Sequence, residues 1–223
     1  WIEACNNMDL VIAPSTFTKN VVKRSGMLNT PIKVVPEWFN SKITNDVNKS
    51  NLKISLNPKF NFLMIGTITS RNADDDRKNL FYSLKWFCEE FKNDKKVGLV
   101  LKACYGKGTK IDRQLTIDTI KQVLREVRHS KFPKITLIHG NMESRDIADL
   151  YKKDKINVYV SGTKGEGYGL PMIEAAASGM PVVATNWSGH LEFLEKGKFL
   201  GVDYTLEEIK KSRADNRIFI EGS

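Results

Sequence analysis

The segment Ser161-Gly162-Thr163-Lys164-Gly165-Glu166-Gly167-Tyr168-Gly169-Leu170-Pro171 combines residue types that could handle an anionic, hydroxyl-rich ligand. Alternate glycines at 165, 167 and 169 let the backbone approach a ligand closely or take a positive φ. Pro171 suits the first turn of a helix, which predicts that the amides of Gly169 to Met172 are free donors at a positive dipole end. Such an end holds phosphate or polarised sugar oxygens. Glu166 lies in the loop, and Glu174 falls one turn into the helix. On a continuous helix that spacing would part the carboxylates by about 12 Å; with the loop between them, both can face one cleft at different depths. Glu174 could then accept two hydroxyl hydrogen bonds from a ribose, as the acidic residue of dinucleotide folds does, and Glu166 could contact a hexose. A plain glycine-rich turn with a solvated Glu166 and a capping Glu174 explains the same residues. For a G-x-G-x-G alone, that plainer outcome is the commoner one.

Other chemistry-bearing residues carry less. Asp74-Asp75-Asp76 contains a D-x-D spacing, but in a polar loop beside Arg77 a solvated acidic loop is expected rather than a metal site. His129, His139 and His190 share no spacing; His139 ends an apolar run as a structural residue, and His190 could touch a ligand from a short helix start. Trp187 reads as a lid over packed side chains. Cys5, Cys88 and Cys104 are odd in number and lack C-x-x-C, which suits a reducing compartment and gives no zinc site. No metal is expected.

These residues need a scaffold. The 223 residues are 41% hydrophobic and 27% charged, an ordinary globular composition that excludes collagen, coiled coil and wholesale disorder. No apolar run approaches the roughly 20 residues that cross a bilayer. The charge of +9 comes from Lys and Arg scattered without a stripe, so a nucleic-acid partner is not expected. Apolar runs at 8–13, 32–35, 60–65, 97–103, 135–138, 156–160 and 181–184 predict strands. Helices are predicted at 15–25, 79–91, 112–130, 146–152, 170–178 and 189–195. The helix over 112–130 is expected to bury Leu115, Ile120, Val123, Leu124 and Val127, and 40–59 reads as a polar loop or linker. From residue 60 onward, five continuous apolar runs alternate with helices, the signature of a parallel sheet covered on both faces. The fold class is therefore α/β, a doubly wound, Rossmann-like domain over about 32–210. Ligands of such sheets sit at the carboxyl ends of the strands, so the loops after Ile65, Ala103, Ile138, Val160 and Ala184 matter most.

The wider pattern tips the balance. Glu166, Glu174 and the following Ala175-Ala176-Ala177-Ser178-Gly179-Met180-Pro181-Val182-Val183-Ala184-Thr185 resemble the E-x7-E segment of retaining glycosyltransferase family 4, the group 1 transferases. Further ordered stretches share the resemblance. Met8 to Ser15 looks like the last strand and helix entry of that family's acceptor half, and Ile32 to Pro36 like the crossover. Arg77-Lys78-Asn79 looks like the phosphate-binding segment, Leu99 to Lys102 like the second donor-half strand, and Gly140 with 146–151 like the base-binding loop.

The resemblance implies the donor-binding half of a GT-B fold, with 1–31 closing an acceptor domain and 32–223 forming a nucleotide-sugar-binding domain cut at its end. It implies that Glu174 binds ribose, that Glu166 is the catalytic-site carboxylate, and that Gly167, Tyr168, Gly169 and Leu170 present amides to the donor sugar. Lys78 with Arg77 would neutralise the diphosphate, and Asn141 and Met142 would meet the base through their backbone. The partners implied are a nucleoside-diphosphate sugar as substrate and a glycan or lipid-linked acceptor, with neither cofactor nor metal. The expected location is cytoplasmic, with peripheral membrane contact made in relatives mostly by the half absent here. The piece alone would be inactive. A non-catalytic nucleotide-sugar-binding module, a phosphorylase or a sugar-nucleotide epimerase is the alternative. One departure stands out: many relatives place Arg after the glycine ending the first donor-half strand, and here Thr67 follows Gly66, so Arg77 or Arg71 must supply the second cation.

Overall fold

A computed structural model describes residues 1–45, 52–128 and 130–208. It opens with α1 (Ile2–Asn6), β1 (Val11–Ala13), α2 (Thr16–Arg24) and β2 (Ile32–Val34), in which β1 and β2 pair in parallel across α2. Ser15 caps α2 as the sequence predicts, its hydroxyl accepting from the Thr18 amide. The first strand is shorter than its apolar run, because Met8 and Leu10 stay exposed and only Ala13 is buried.

The main unit comprises α3 (Lys42–Asn45), β3 (Phe60–Thr67), α4 (Leu80–Glu90), β4 (Val97–Cys104), α5 (Lys110–Val127), β5 (Lys134–Ile138), α6 (Ser144–Tyr151), β6 (Ile156–Ser161), α7 (Leu170–Ala177), β7 (Val182–Thr185), α8 (Leu191–Leu194) and β8 (Leu200–Val202). Its six strands run parallel in the order β5-β4-β3-β6-β7-β8. The chain starts in the middle, winds outward to β5, then returns to lay β6 on the other side of β3. That reversal creates the switch-point crevice of a doubly wound sheet between β3 and β6.

Both faces of the sheet are covered, which is why its central strands read as unbroken apolar runs. Neighbouring residues of one strand feed different cores. Leu63 packs with Val100, Leu150, Tyr159 and Met172 on one face. Met64 packs with Leu84, Phe87, Leu99 and Leu101 on the other.

Three expectations need correction. Residues 40–59 are not wholly a linker: α3 lies within them, and Ile43 and Leu56 join the first core. (Residues 46–51 of that stretch lie outside the described residues, as does His129.) A sixth strand, β8, completes the sheet where the sequence suggested five, because its Leu200, Gly201 and Val202 are all exposed and give no apolar run. On α5, Leu115 faces solvent while Thr116 is fully buried, its hydroxyl donating to the Asp112 carbonyl and accepting from the Tyr105 amide. A hydroxyl so satisfied takes a core position that hydropathy assigns to its neighbour.

Candidate functional site

The crevice is bounded by the loop after β3, which carries Arg77 and Lys78, and by the loop after β6, which carries Glu166. Backbone and side chain zip the two loops together. The Lys164 amide donates to the Arg77 carbonyl at 2.9 Å, and the Thr163 hydroxyl donates to the same carbonyl at 3.2 Å. Asn79, held at φ 55°, donates its side-chain amide to the Gly162 carbonyl at 2.9 Å. Gly162 has to be small, since a Cβ there would stand 2.7 Å from the Ser83 hydroxyl.

On this frame the three predicted charged residues meet. The Lys78 ammonium lies 2.5 Å from one Glu166 oxygen, and the Arg77 guanidinium 3.3 Å from the other. The Thr163 hydroxyl also stands 3.2 Å from a Glu166 oxygen, its one proton shared between that carboxylate and the Arg77 carbonyl, and Arg77 donates to the Gly165 carbonyl at 2.5 Å. The Glu166 side chain keeps only 10% of its exposure and that of Lys78 16%. Arg71, the other candidate cation, lines a different hollow with Phe81, Tyr82 and Gln122. Arg77 is thus the residue that accompanies Lys78.

Glu174 lies on α7, half-buried against the first core. Burial pushes its carboxyl above the ordinary carboxylate value, opposed by hydrogen bonds from the Tyr151 hydroxyl and the Asn40 amide. Tyr151 is itself buried, and burial first, then the nearby Tyr159 and Glu174, holds its hydroxyl protonated well above the usual phenol range. The Tyr151 hydroxyl also lies 3.1 Å from the Pro171 carbonyl, so its one proton is not Glu174's alone, and the carboxyl keeps lone-pair positions for ligand hydroxyls.

The glycine loop is partly spoken for. Gly169 takes φ +100° and opens α7, but the Met172 amide donates back to the Gly169 carbonyl at 2.9 Å, and Pro171 has no N–H. Fewer donors remain at that helix start than the sequence suggested. The ring of Tyr168 is buried against Phe193, with centroids 5.1 Å apart, so only its backbone can face the crevice. Leu170 remains partly exposed.

Asn141 and Met142 follow β5, beyond β4 from the ion pairs. The Asn141 side chain donates to the Lys107 carbonyl at 3.2 Å, and Lys102 reaches the neighbouring Gly140 carbonyl at 2.7 Å. Asn141 and His139 border a hollow of about 560 Å³ between α5 and β5, apart from the Lys78–Glu166 pair.

The acidic run differs from expectation. Asp76 is fully buried and accepts from the Thr69 amide and hydroxyl and from the Leu80 amide, so it fixes the cation loop rather than sitting in solvent. Among the described residues, no three His, Cys, Asp or Glu are grouped to hold a metal. His190 is fully buried with its Nε2 2.7 Å from the Thr185 carbonyl, which withdraws it from direct ligand contact. Trp187 packs edge-on against Phe17 and beside Tyr204, as a lid over packed side chains would.

Sequence reading missed the residues that hold Glu166 from behind: Thr163, Ser188 and Gly189. Only a Ser-Gly pair just after β7, at the functional end of the sheet, hinted at them.

Residues 118–214 match the family described as Glycosyl transferases group 1. A sucrose synthase of Denitrovibrio acetiphilus is 29% identical over 132 residues, which are 56% of this chain and 16% of that protein. Among solved structures, an Anabaena HepE protein in complex with UDP and glucose aligns with a TM-score of 0.62 at 19% identity, over 89% of this chain and 51% of that one. An E. coli trehalose-6-phosphate structure bound with UDP-2-fluoro glucose gives 0.62 at 10% identity, over 90% and 51%. The chain therefore spans about half the length of these structures and a much smaller share of the synthase. The resemblance to the group 1 transferases read in the sequence is borne out over residues 118–214, and the sheet has the fold of part of the GT-B structures it aligns with.

Proposed function

We propose that this chain, whose residues 118–214 match the group 1 glycosyl transferases, is the nucleotide-sugar-binding half of a retaining glycosyltransferase. The whole protein would move a hexose from a nucleoside diphosphate to a glycan or lipid-linked acceptor. Residues 1–31 would close its acceptor domain and 32–223 would form the donor domain. The single observation that carries this reading is the meeting of Lys78, Arg77 and Glu166 across the β3–β6 switch point. Relatives of similar fold are described with UDP, UDP-2-fluoro glucose and glucose, which suits a donor of that class.

The proposed chemistry follows from charge. As the glycosidic bond breaks, the leaving diphosphate gains negative charge. Lys78 and Arg77 stabilise that charge more strongly as it grows, and so lower the barrier rather than only tightening binding. Glu166 keeps both cations oriented before the donor arrives and, with the loop amides around Gly167 and Gly169, meets the sugar. Glu174 takes the ribose hydroxyls, and the backbone at Asn141 and Met142 the base.

Calorimetric titration of the full-length protein with UDP, GDP and ADP, followed by donor hydrolysis and transfer assays, tests the proposal. Tight binding of one diphosphate with hydrolysis or transfer is expected. Binding without turnover would reduce the protein to a nucleotide-sugar-binding module. Absence of binding would overturn the reading.

A further inference from the structure

We infer that the turn Ser188-Gly189 is the positioning element that sets the Glu166 carboxylate, an inference that rests on Glu166 meeting the donor sugar. Ser188 lies just beyond β7, is buried to 2% exposure and sits at φ +96°, a conformation that costs a non-glycine residue strain. Such strain persists only where the surroundings over-determine it. Here they do. The Ser188 hydroxyl accepts the Glu166 amide at 2.6 Å and donates to the Glu166 carbonyl at 2.9 Å. The Gly189 amide donates to that same carbonyl at 3.0 Å. Both backbone polar groups of Glu166 are therefore held by one dipeptide.

Gly189 adds a steric reason. A Cβ there would stand 2.1 Å from the Gly167 carbonyl oxygen and 2.7 Å from that of Glu166. The two backbones lie in direct contact, and only glycine permits it. The next residue, His190, anchors the turn through its ring to the Thr185 carbonyl at the end of β7. It also crowds the loop, since a Cβ on Gly169 would stand 2.9 Å from the His190 Cβ. The loop carrying Glu166 is thus clamped at two points from β7, the neighbour of β6.

Glycine at 188 would relieve the strain, so the presence of serine assigns its hydroxyl a purpose. Without that hydroxyl, the Glu166 backbone loses two hydrogen bonds, and only the contacts of its side chain with Lys78, Arg77 and Thr163 are left to place the carboxylate. Ser188 touches no reacting atom in this arrangement; it acts through Glu166.

The test uses the full-length protein and its Ser188→Gly and Ser188→Ala variants. The first removes the hydroxyl while easing the backbone, so it should fold. Amide hydrogen exchange at Glu166 in ligand-free protein should speed up by about tenfold or more in Ser188→Gly, with α4 and β4 unchanged. Affinity for UDP-, GDP- or ADP-glucose, whichever the parent protein binds, should fall by about tenfold while affinity for the matching diphosphate changes little. Unchanged exchange at Glu166 would overturn the inference, as would equal losses for the sugar nucleotide and its diphosphate. If the parent binds no nucleotide, the functional reading fails, and the exchange measurement alone decides the role of Ser188.

Discussion

The Lys78 ammonium and the Glu166 carboxylate lie 2.5 Å apart, although 88 positions separate them in the chain. Each comes from the loop that follows one strand of the switch-point pair. Before any donor binds, the cation that would meet a diphosphate is matched by the carboxylate that would meet the sugar. On the proposed function, an arriving diphosphate would compete for Lys78 and release Glu166 from that cation.

That pairing is expected to be energetic as well as geometric. A cycle of Lys78→Ala, Glu166→Gln and both together should give a coupling of about 1–3 kcal/mol in ligand-free stability, between the values for exposed and buried pairs. Urea unfolding measures it. Zero coupling would mean that the pair contributes nothing to the fold. In binding, Lys78→Ala should weaken UDP far more than uridine, and equal loss for both would remove Lys78 from diphosphate contact.

Glu174 should report pH. Its folded-state carboxyl is shifted upward from 4.5 by burial, so the folded chain holds that proton more tightly than the unfolded one. Its contribution to stability is full below the unfolded value and is lost as pH rises through the folded one. Glu174→Gln should accordingly flatten the stability profile above pH 4.5, measured by urea unfolding across buffers. An ionised carboxylate accepts hydroxyl hydrogen bonds more strongly than a neutral carboxyl, so nucleotide affinity should rise over the same window in the parent and not in the variant. Glu174→Ala should cost about 1–3 kcal/mol of nucleotide binding, the cost of polar partners left unpaired; unchanged affinity would take Glu174 out of the site.

Glu192 of α8 reaches across to α2, accepting from the Thr16 amide at 2.8 Å and its hydroxyl at 3.2 Å. Ser15 and Thr18 complete the contact by donating to the Gly167 carbonyl at 2.7 and 3.0 Å. Removing the Glu192 carboxylate should resemble loss of a helix cap, about 0.5–1 kcal/mol for an exposed site. Faster amide exchange at Thr16 in Glu192→Ala, with the main sheet unaffected, is the expected signature.

Gly98 carries the strongest purely structural prediction. A Cβ there would stand 2.3 Å from the Asn61 side-chain oxygen and 2.8 Å from Pro58. Asn61 is buried and its amide donates to the Pro58 and Lys155 carbonyls, so it cannot yield cheaply. Gly98→Ala should destabilise by about 1–3 kcal/mol or more, read as a lowered Tm; a neutral result would mean the loop before β3 is softer than its hydrogen bonds imply.

The central strands and the long helices were legible because burial on both faces writes itself as uninterrupted apolar runs. Arg77, Lys78 and Glu166 were legible through the resemblance to the group 1 transferases rather than by local pattern: no glycine adjoins Arg77 or Lys78, and the glycines around Glu166 alone suit a plain turn. What escaped was of two kinds. β8 is exposed and short, so nothing in its composition marks it; pairing with β7 makes it a strand. Ser188, Thr163 and Asp76 act through hydrogen bonds to backbone, and such bonds depend on which loops meet, a property of topology rather than of local pattern. Asp76 shows the cost most clearly: three acidic residues in a row suggest solvent, yet one of them is the buried anchor of the cation loop.

The strand order has a last implication. Lys78 belongs to the run that winds outward from β3, and Glu166 to the run that returns through β6. The outward run holds both cations, Lys78 and Arg77, but the carboxylate that orients them and the glycine-loop amides come from the returning run. Full affinity for a diphosphate should therefore need the two halves docked, with the cations oriented by Glu166, making tight ligand capture a late event in folding and an assay of whether a refolded preparation has assembled.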